Sequence, residues 1–192
     1  MRSIIGSFLA ILIFVSCNDK TTPELRTGPW HATLEVQDGR QLPFSFELFK
    51  GEKGYGIKVY NAGEEIVVDE IETIKDSITI KMPAFDGYIA GNYEGEQIRG
   101  NFIKEELERS QAFIAEYGDQ PRFRVNEAPA FDVNGTWEAS FGKDSTDMYP
   151  AKGIFSQKGT KVTGTFRTTT GDYRYLEGVV RGDSLLLSTF DG

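Results

Sequence analysis

The chain has 192 residues, of which 39% are hydrophobic and 26% charged, the balance of a globular protein with room for one medium domain or two small ones. Its formal net charge of −8, with Lys and Arg scattered, gives no electrostatic footprint for nucleic acid, which is excluded as a partner. One cysteine and one histidine leave no disulfide, no Cys-x-x-Cys pair and no thiolate metal cluster, and any histidine-based site would have to use His31.

The first element in chain order is "MRSIIGSFLAILIFVSCNDK". Arg2 gives a positive start, and an apolar run from Ile4 to Val15 leads to Ser16-Cys17. That run is shorter than the roughly 20 apolar residues a membrane-spanning helix needs, and it reads as a secretory signal over residues 1–16. A lone cysteine just after it resembles the lipobox of bacterial lipoproteins, with Phe14 where that motif usually has Leu. The resemblance implies that Cys17 is lipid-modified and becomes the new N-terminus. Residues 17–27 then form a polar tether that anchors the chain to the membrane of a bacterial cell envelope, facing the periplasm or the cell surface.

From Gly28 the pattern has a period of two. "WHATLEV" puts Trp30, Ala32, Leu34 and Val36 on one face, and "PFSFELFK" puts Phe44, Phe46 and Leu48 there. "GIKVY" and "DSITIKM" follow, with Lys58, Thr79 and Lys81 toward water. Such alternation predicts half-buried antiparallel strands, and "QDGR", "KGEKG", "NAGEE", "KDS" and "YEGEQ" punctuate it as turns. Only "KEELERSQ" (104–111) has a helical look, without a sustained apolar stripe.

A second pattern is superposed on the first. "GPWHATL" at Gly28 and "GTWEASF" at Gly135 lie 107 positions apart, as do Pro43 and Pro150, and Asp76-Ser77 and Asp183-Ser184. Phe85-Asp86-Gly87 and Phe190-Asp191-Gly192 lie 105 apart. Matches in one order at nearly one offset predict a duplicated unit. The expected organisation is a first β unit over 28–118, a linker over 119–134 and a second, incomplete β unit over 135–192. The fold class expected is all-β: two tandem, related antiparallel units, each an up-and-down barrel or a sandwich, because closure removes unpaired edges. Gly-x-Trp at the start of the first strand resembles lipocalin-like barrels; core packing is the simpler role for Trp30 and Trp137.

Several stretches invite chemistry. The glycines of "GEKGYGIKV" precede a strand rather than a helix, so they read as a hairpin turn and not as a phosphate loop. The acidic run "EEIVVDEIE" offers carboxylates for metal binding or acid–base work, but reads as the solvated side of a strand. "RGD" (181–183) falls where a tight turn belongs, and "NGT" at Asn134 fits a glycosylation acceptor only in a eukaryotic setting. The most distinctive stretch is "TTTGDYRYLEG", where Asp172, Tyr173, Arg174 and Tyr175 put charge and aromatics together as binding surfaces do. Its plainer reading is a hairpin whose tyrosines pack on the core. No catalytic residue, metal ligand or cofactor is assigned.

"TGDYRYLEGVVRGDSLLLSTFDG", with "GPWHATLEVQDGRQLPFSFEL" and "DSITIKMPAFDGYIAG", resembles the N-terminal region of TlpA-like thiol-disulfide oxidoreductases, envelope lipoproteins of Bacteroidetes-type bacteria. The resemblance covers nearly the whole chain after the signal. It implies that a thioredoxin-fold domain with a Trp-Cys-x-x-Cys site follows the β region. No such motif occurs among these 192 residues, so no residue takes the catalytic role. The expected function is therefore a non-catalytic, lipid-anchored β region that acts as spacer or protein-recognition module. Its partners would be the membrane, envelope proteins and the thioredoxin domain. The alternative is an independent lipocalin-like lipoprotein that carries a small apolar ligand in the first barrel.

Overall fold

The computed structural model describes residues 24–36, 39–82, 87–142, 144 and 146–190. It is all-β. The first sheet contains β1 (Gly28–Glu35), β2 (Gln41–Gly51), β3 (Gly54–Asn61), β4 (Glu64–Val68), β5 (Ile71–Ile74), β6 (Ser77–Met82), β7 (Gly87–Glu94), β8 (Gln97–Lys104) and β9 (Arg109–Tyr117). The second contains β10 (Gly135–Phe141), β11 (Tyr149–Lys158), β12 (Lys161–Thr168), β13 (Asp172–Arg181) and β14 (Ser184–Ser188). The helical-looking "KEELERSQ" supplies only a single 3-10 turn, Glu105–Leu107, before its last residues join β9.

Neighbours in the first sheet follow the chain, in the order β4-β3-β2-β1-β9-β8-β7-β6-β5, and every pairing is antiparallel. β1 is paired on both sides, with Trp30 opposite Phe46 of β2 and Tyr117 of β9. Following strand direction around the sheet shows that β4 and β5 run the same way. They are two halves of one strand, broken at Asp69-Glu70, the first half bonded to β3 and the second to β6. The nine strands thus fill eight positions of an up-and-down barrel that is nearly closed. At its tightest approach Gly91 faces Gly100, and a Cβ on Gly100 would sit 2.1 Å from the carbonyl oxygen of Ala90. Only glycine fits there.

The period-two pattern explains the interior. Trp30, Ala32 and Leu34 of β1 and Phe44, Phe46 and Leu48 of β2 are buried, together with Ile57, Val59, Ile78, Ile80, Ile89, Ile98 and Phe113. Thr79 and Lys58 stand on the outer face, half-buried, and Lys81 is exposed and paired with Glu72 at 2.7 Å. One end of the barrel is stoppered by Leu25, held in place because Trp30 Nε1 donates to the Arg26 carbonyl at 3.0 Å. The Arg26 guanidinium lies 4.7 Å from the Tyr117 ring centre and also pairs with Glu96.

The opposite end is stoppered by the second unit. Phe190 enters the first core, stacks on Phe44 at 4.1 Å and meets the edge of Phe102 at 5.6 Å. Its backbone is held on both sides by one side chain: Asn61 Nδ2 donates to the Phe190 carbonyl at 2.6 Å, and Phe190 N–H donates to Asn61 Oδ1 at 3.1 Å. Ser188 Oγ donates to the Pro43 carbonyl at 2.7 Å. Arg122, from the segment between the sheets, is buried in the same joint. It donates to the carbonyls of Tyr60 and Ser188 and to Ser188 Oγ.

The second sheet is a half barrel with the order β10-β11-β12-β13-β14. Its hairpin registers match those of the first sheet at the offset of 107, apart from a one-residue shift in β12–β13 at Gly164–Phe166. Gly28 faces Leu48 and Gly135 faces Phe155; Thr33 faces Pro43 and Ser140 faces Pro150. Ser45 faces Tyr60 as Lys152 faces Arg167, and Val59 faces Ile66 as Phe166 faces Tyr173. Ile74 faces Ser77 as Arg181 faces Ser184. β13 takes the place of both β4 and β5, unbroken.

The joint makes a clear prediction for stability. Phe190→Ala should lower the unfolding free energy of the full chain by about 3–5 kcal/mol, the usual loss for a buried phenylalanine. Denaturant unfolding would measure it, and a change under about 1 kcal/mol would remove the ring from the core.

Candidate functional site

The side chains of the second sheet that correspond to the barrel interior of the first form a continuous aromatic face. Phe155 meets Phe166 at 5.2 Å between ring centres, Phe166 meets Phe141 at 5.0 Å, and Phe141 meets Tyr173 at 5.6 Å and Tyr149 at 5.9 Å. The first three contacts are edge-on, the favoured arrangement of aromatic quadrupoles, and the last is tilted. The hydroxyls of Tyr149 and Tyr173 are 3.3 Å apart, a hydrogen bond that pushes the Tyr149 hydroxyl above the ordinary range for tyrosine. Phe155 also belongs to a small buried core with Val133, Val162 and Val180, against which Phe166, Leu185 and Leu187 pack. An open cleft of about 650 Å³ lies on β10, β11 and the end of β12, lined by Ala139, Pro150, Ala151, Lys152, Arg167 and Thr168 among others.

Trp30 and Trp137 show the difference between the sheets. Trp137 Nε1 donates to the Val133 carbonyl at 2.8 Å, four residues back, as Trp30 does to Arg26. Yet Trp30 is 1% exposed and Trp137 48%. The expectation that both pack in a core holds for Trp30 only, because five strands do not wrap around the second ring.

The four residues singled out in "TTTGDYRYLEG" are spread over one end of β13. Tyr173 is 50% exposed and Tyr175 40%, so neither is covered by the core as the plainer reading supposed. A register irregularity between Gly164 and Phe166 is the cause of the local geometry. It lets Thr165 Oγ1 donate to the Tyr173 carbonyl at 2.9 Å, and Tyr175 takes a left-handed φ of 54°. Asp172 faces Arg167 at 3.8 Å, and Arg174 is exposed. Only Tyr173 of the four joins the aromatic face. Cys17, the expected lipidation site, lies outside the described residues, as do Phe85 and Asp86.

The remaining motifs have structural places. The glycines of "GEKGYGIKV" form the β2–β3 hairpin, and in "RGD" Arg181 ends β13 while Gly182-Asp183 make the two-residue β13–β14 turn, with Gly182 at φ 56°. "EEIVVDEIE" is the broken strand β4–β5, and among the described residues no group of three or more His, Cys, Asp or Glu side chains is arranged to hold a metal ion. Asn134 lies in a turn in which its N–H and side chain bond Asp132. Asn61 and Arg122 were not singled out from the sequence: an asparagine at a strand end and an arginine between two prolines carry no local signal. Phe190 did carry one, through the repeated Phe-Asp-Gly.

Comparison with protein-family models, with curated proteins and with solved structures found no match.

His31 stands on the outer face of β1 beside Glu116, Arg122 and Arg124. Its Nδ1 is buried with no hydrogen-bond partner among the described residues. Burial, reinforced by the two arginines and opposed by Glu116, lowers its pKa below 6.5, so the fold holds the neutral ring. Above that pH the contribution to stability is complete. As pH falls through 6.5 the unfolded chain takes up a proton that the folded chain resists, and stability drops by at most about 1.4 kcal/mol per pH unit. Unfolding curves of wild type and His31→Gln between about pH 5 and 8 should diverge in slope, the variant being flatter. Parallel curves would show that the ring is not held neutral.

Proposed function

We propose that this chain is the non-catalytic, lipid-anchored β region of a TlpA-like thiol-disulfide oxidoreductase. It would serve as a spacer or protein-recognition module in the bacterial cell envelope. The observation that carries the reading is the joint of Phe190, Asn61, Ser188 and Arg122. It locks two sheets of matching register into one body, as a spacer needs. The matching registers support duplication of one ancestral unit, which the sequence offset predicted. The exposed aromatic face supports a role in contact with other polypeptides. The ligand-carrier alternative is less favoured, because Trp30, Phe44, Phe46 and Phe113 occupy the first barrel where a ligand would sit.

In this reading Cys17 carries the lipid and the tether spans from membrane to first barrel. The redox chemistry belongs to a domain downstream of Gly192. Three measurements test it. The coding sequence beyond Gly192 should hold an in-frame Cys-x-x-Cys; a stop codon with no such motif would remove the thioredoxin kinship. Cells fed labelled palmitate should incorporate it into wild type and not into Cys17→Ser, and equal labelling would remove the anchor. Insulin reduction by the 192-residue chain alone should be absent.

A further inference from the structure

Among the described residues the second sheet has two free edges and one incompletely covered face, since there β14 pairs only with β13 and β10 only with β11. In the first sheet the corresponding strands, β6 and β1, pair onward with β7 and β9, and β7–β9 close the barrel over Trp30. Because the hairpin registers agree apart from the one-residue bulge at Gly164–Phe166, the second sheet has nearly the stagger of the first and accommodates a similar number of positions. Five are filled. Strand direction agrees with that number without fixing it alone. β10 and β14 run the same way, so only an odd number of strands between them pairs antiparallel at both edges, and three restores the eight positions of the first barrel.

We infer that this face and these edges receive three further antiparallel strands of the β7–β9 kind, entering beside β14 after Phe190. The segment is part of the same polypeptide. Gly87, the first residue of β7, follows Phe85-Asp86 as Gly192 follows Phe190-Asp191. Phe190 itself is held in the joint between the units, so the segment that follows it starts from a fixed point. Its chemistry is set by what it covers: apolar side chains at alternate positions against Trp137, Phe141, Phe166 and Tyr173, and backbone amides against the edges of β10 and β14. The inference rests on strand register and direction and not on redox kinship, so it stands or falls separately from the proposed activity of a downstream domain.

The test extends the full chain after Gly192 with a second copy of its own residues 88–118. Trp137 is followed as the difference between each protein and its Trp137→Phe variant, a substitution at an exposed position. The extension should shift Trp137 emission to the blue, cut its acrylamide quenching several-fold, and slow amide exchange in Ser184–Ser188 by at least about tenfold, with the protein monomeric. A control extension with Asp at the positions of Ile89, Ile98 and Phe113 should give none of these effects. Two results would overturn the inference. One is a Trp137 as accessible in the extended protein as in the original, or equally shielded by the control. The other is an unextended chain that is already a dimer with Trp137 shielded, which would assign the face to a second copy.

Discussion

The pairing of β1 with β9 is the interaction on which the rest of the molecule depends. A meander of hairpins is a local structure, each strand bonded to its neighbour in sequence, and it ends in two open edges. Joining Trp30–Leu34 to Phe113–Tyr117 turns that ribbon into an enclosure. Only then do the alternate apolar residues face one another across an interior, and only then does the barrel have two ends that need stoppers. Leu25 and Phe190 are those stoppers, and neither would have a place to go in an open sheet. In the second sheet the same tryptophan, with the same bond to a carbonyl four residues back, is left half in water because that one pairing has no counterpart.

The joint between the units shows how a polar cluster sets geometry where apolar packing alone would allow slippage. Phe190 supplies area, but a ring stacked on Phe44 is free to slide. Asn61 removes that freedom by satisfying both backbone groups of Phe190 at once, and being fully buried it has no water to compete for it. Arg122 ties the opposite side of the same segment to the end of β3. Its guanidinium is buried among neutral acceptors, with Glu177 as the carboxylate that opposes the loss of charge stabilisation. A buried cation of this kind is costly and seldom adds net stability. Its contribution is to fix one relative position of the two sheets.

Much of the fold could be read from local pattern. The alternation in "WHATLEV" and "PFSFELFK" names buried residues correctly because a half-buried strand has only two faces, and burial decides between them. The glycine-rich turns were legible for a similar reason, since backbone conformation there is a property of a few adjacent residues. The break at Asp69-Glu70 was not legible, because β4 and β5 look like one acidic strand and the division follows from which neighbour each half meets. Arg122 and Asn61 escaped notice because their roles are made by residues 61 positions apart, with Ser188 and Phe190 farther still. The exposure of Tyr173 and Trp137 was hidden too. Sequence shows that a side chain is apolar, but not whether enough strands exist to cover it.

That last point separates two properties that a repeated sequence joins. The 107-residue offset preserves strand register, turn positions and the tryptophan bond, all of which depend on pairs of adjacent strands. It does not preserve burial, which depends on how many strands there are. Register propagates outward from each hairpin, so a half barrel can keep the local geometry of a whole one. Enclosure is collective: it is absent at five positions and nearly complete at eight. The exposed rings of the second sheet are therefore no sign of a different design at the level of its hairpins. They are barrel-interior residues in a sheet that has the curvature for enclosure and too few strands to reach it, and this is why their chemistry is that of a core and their exposure that of a surface.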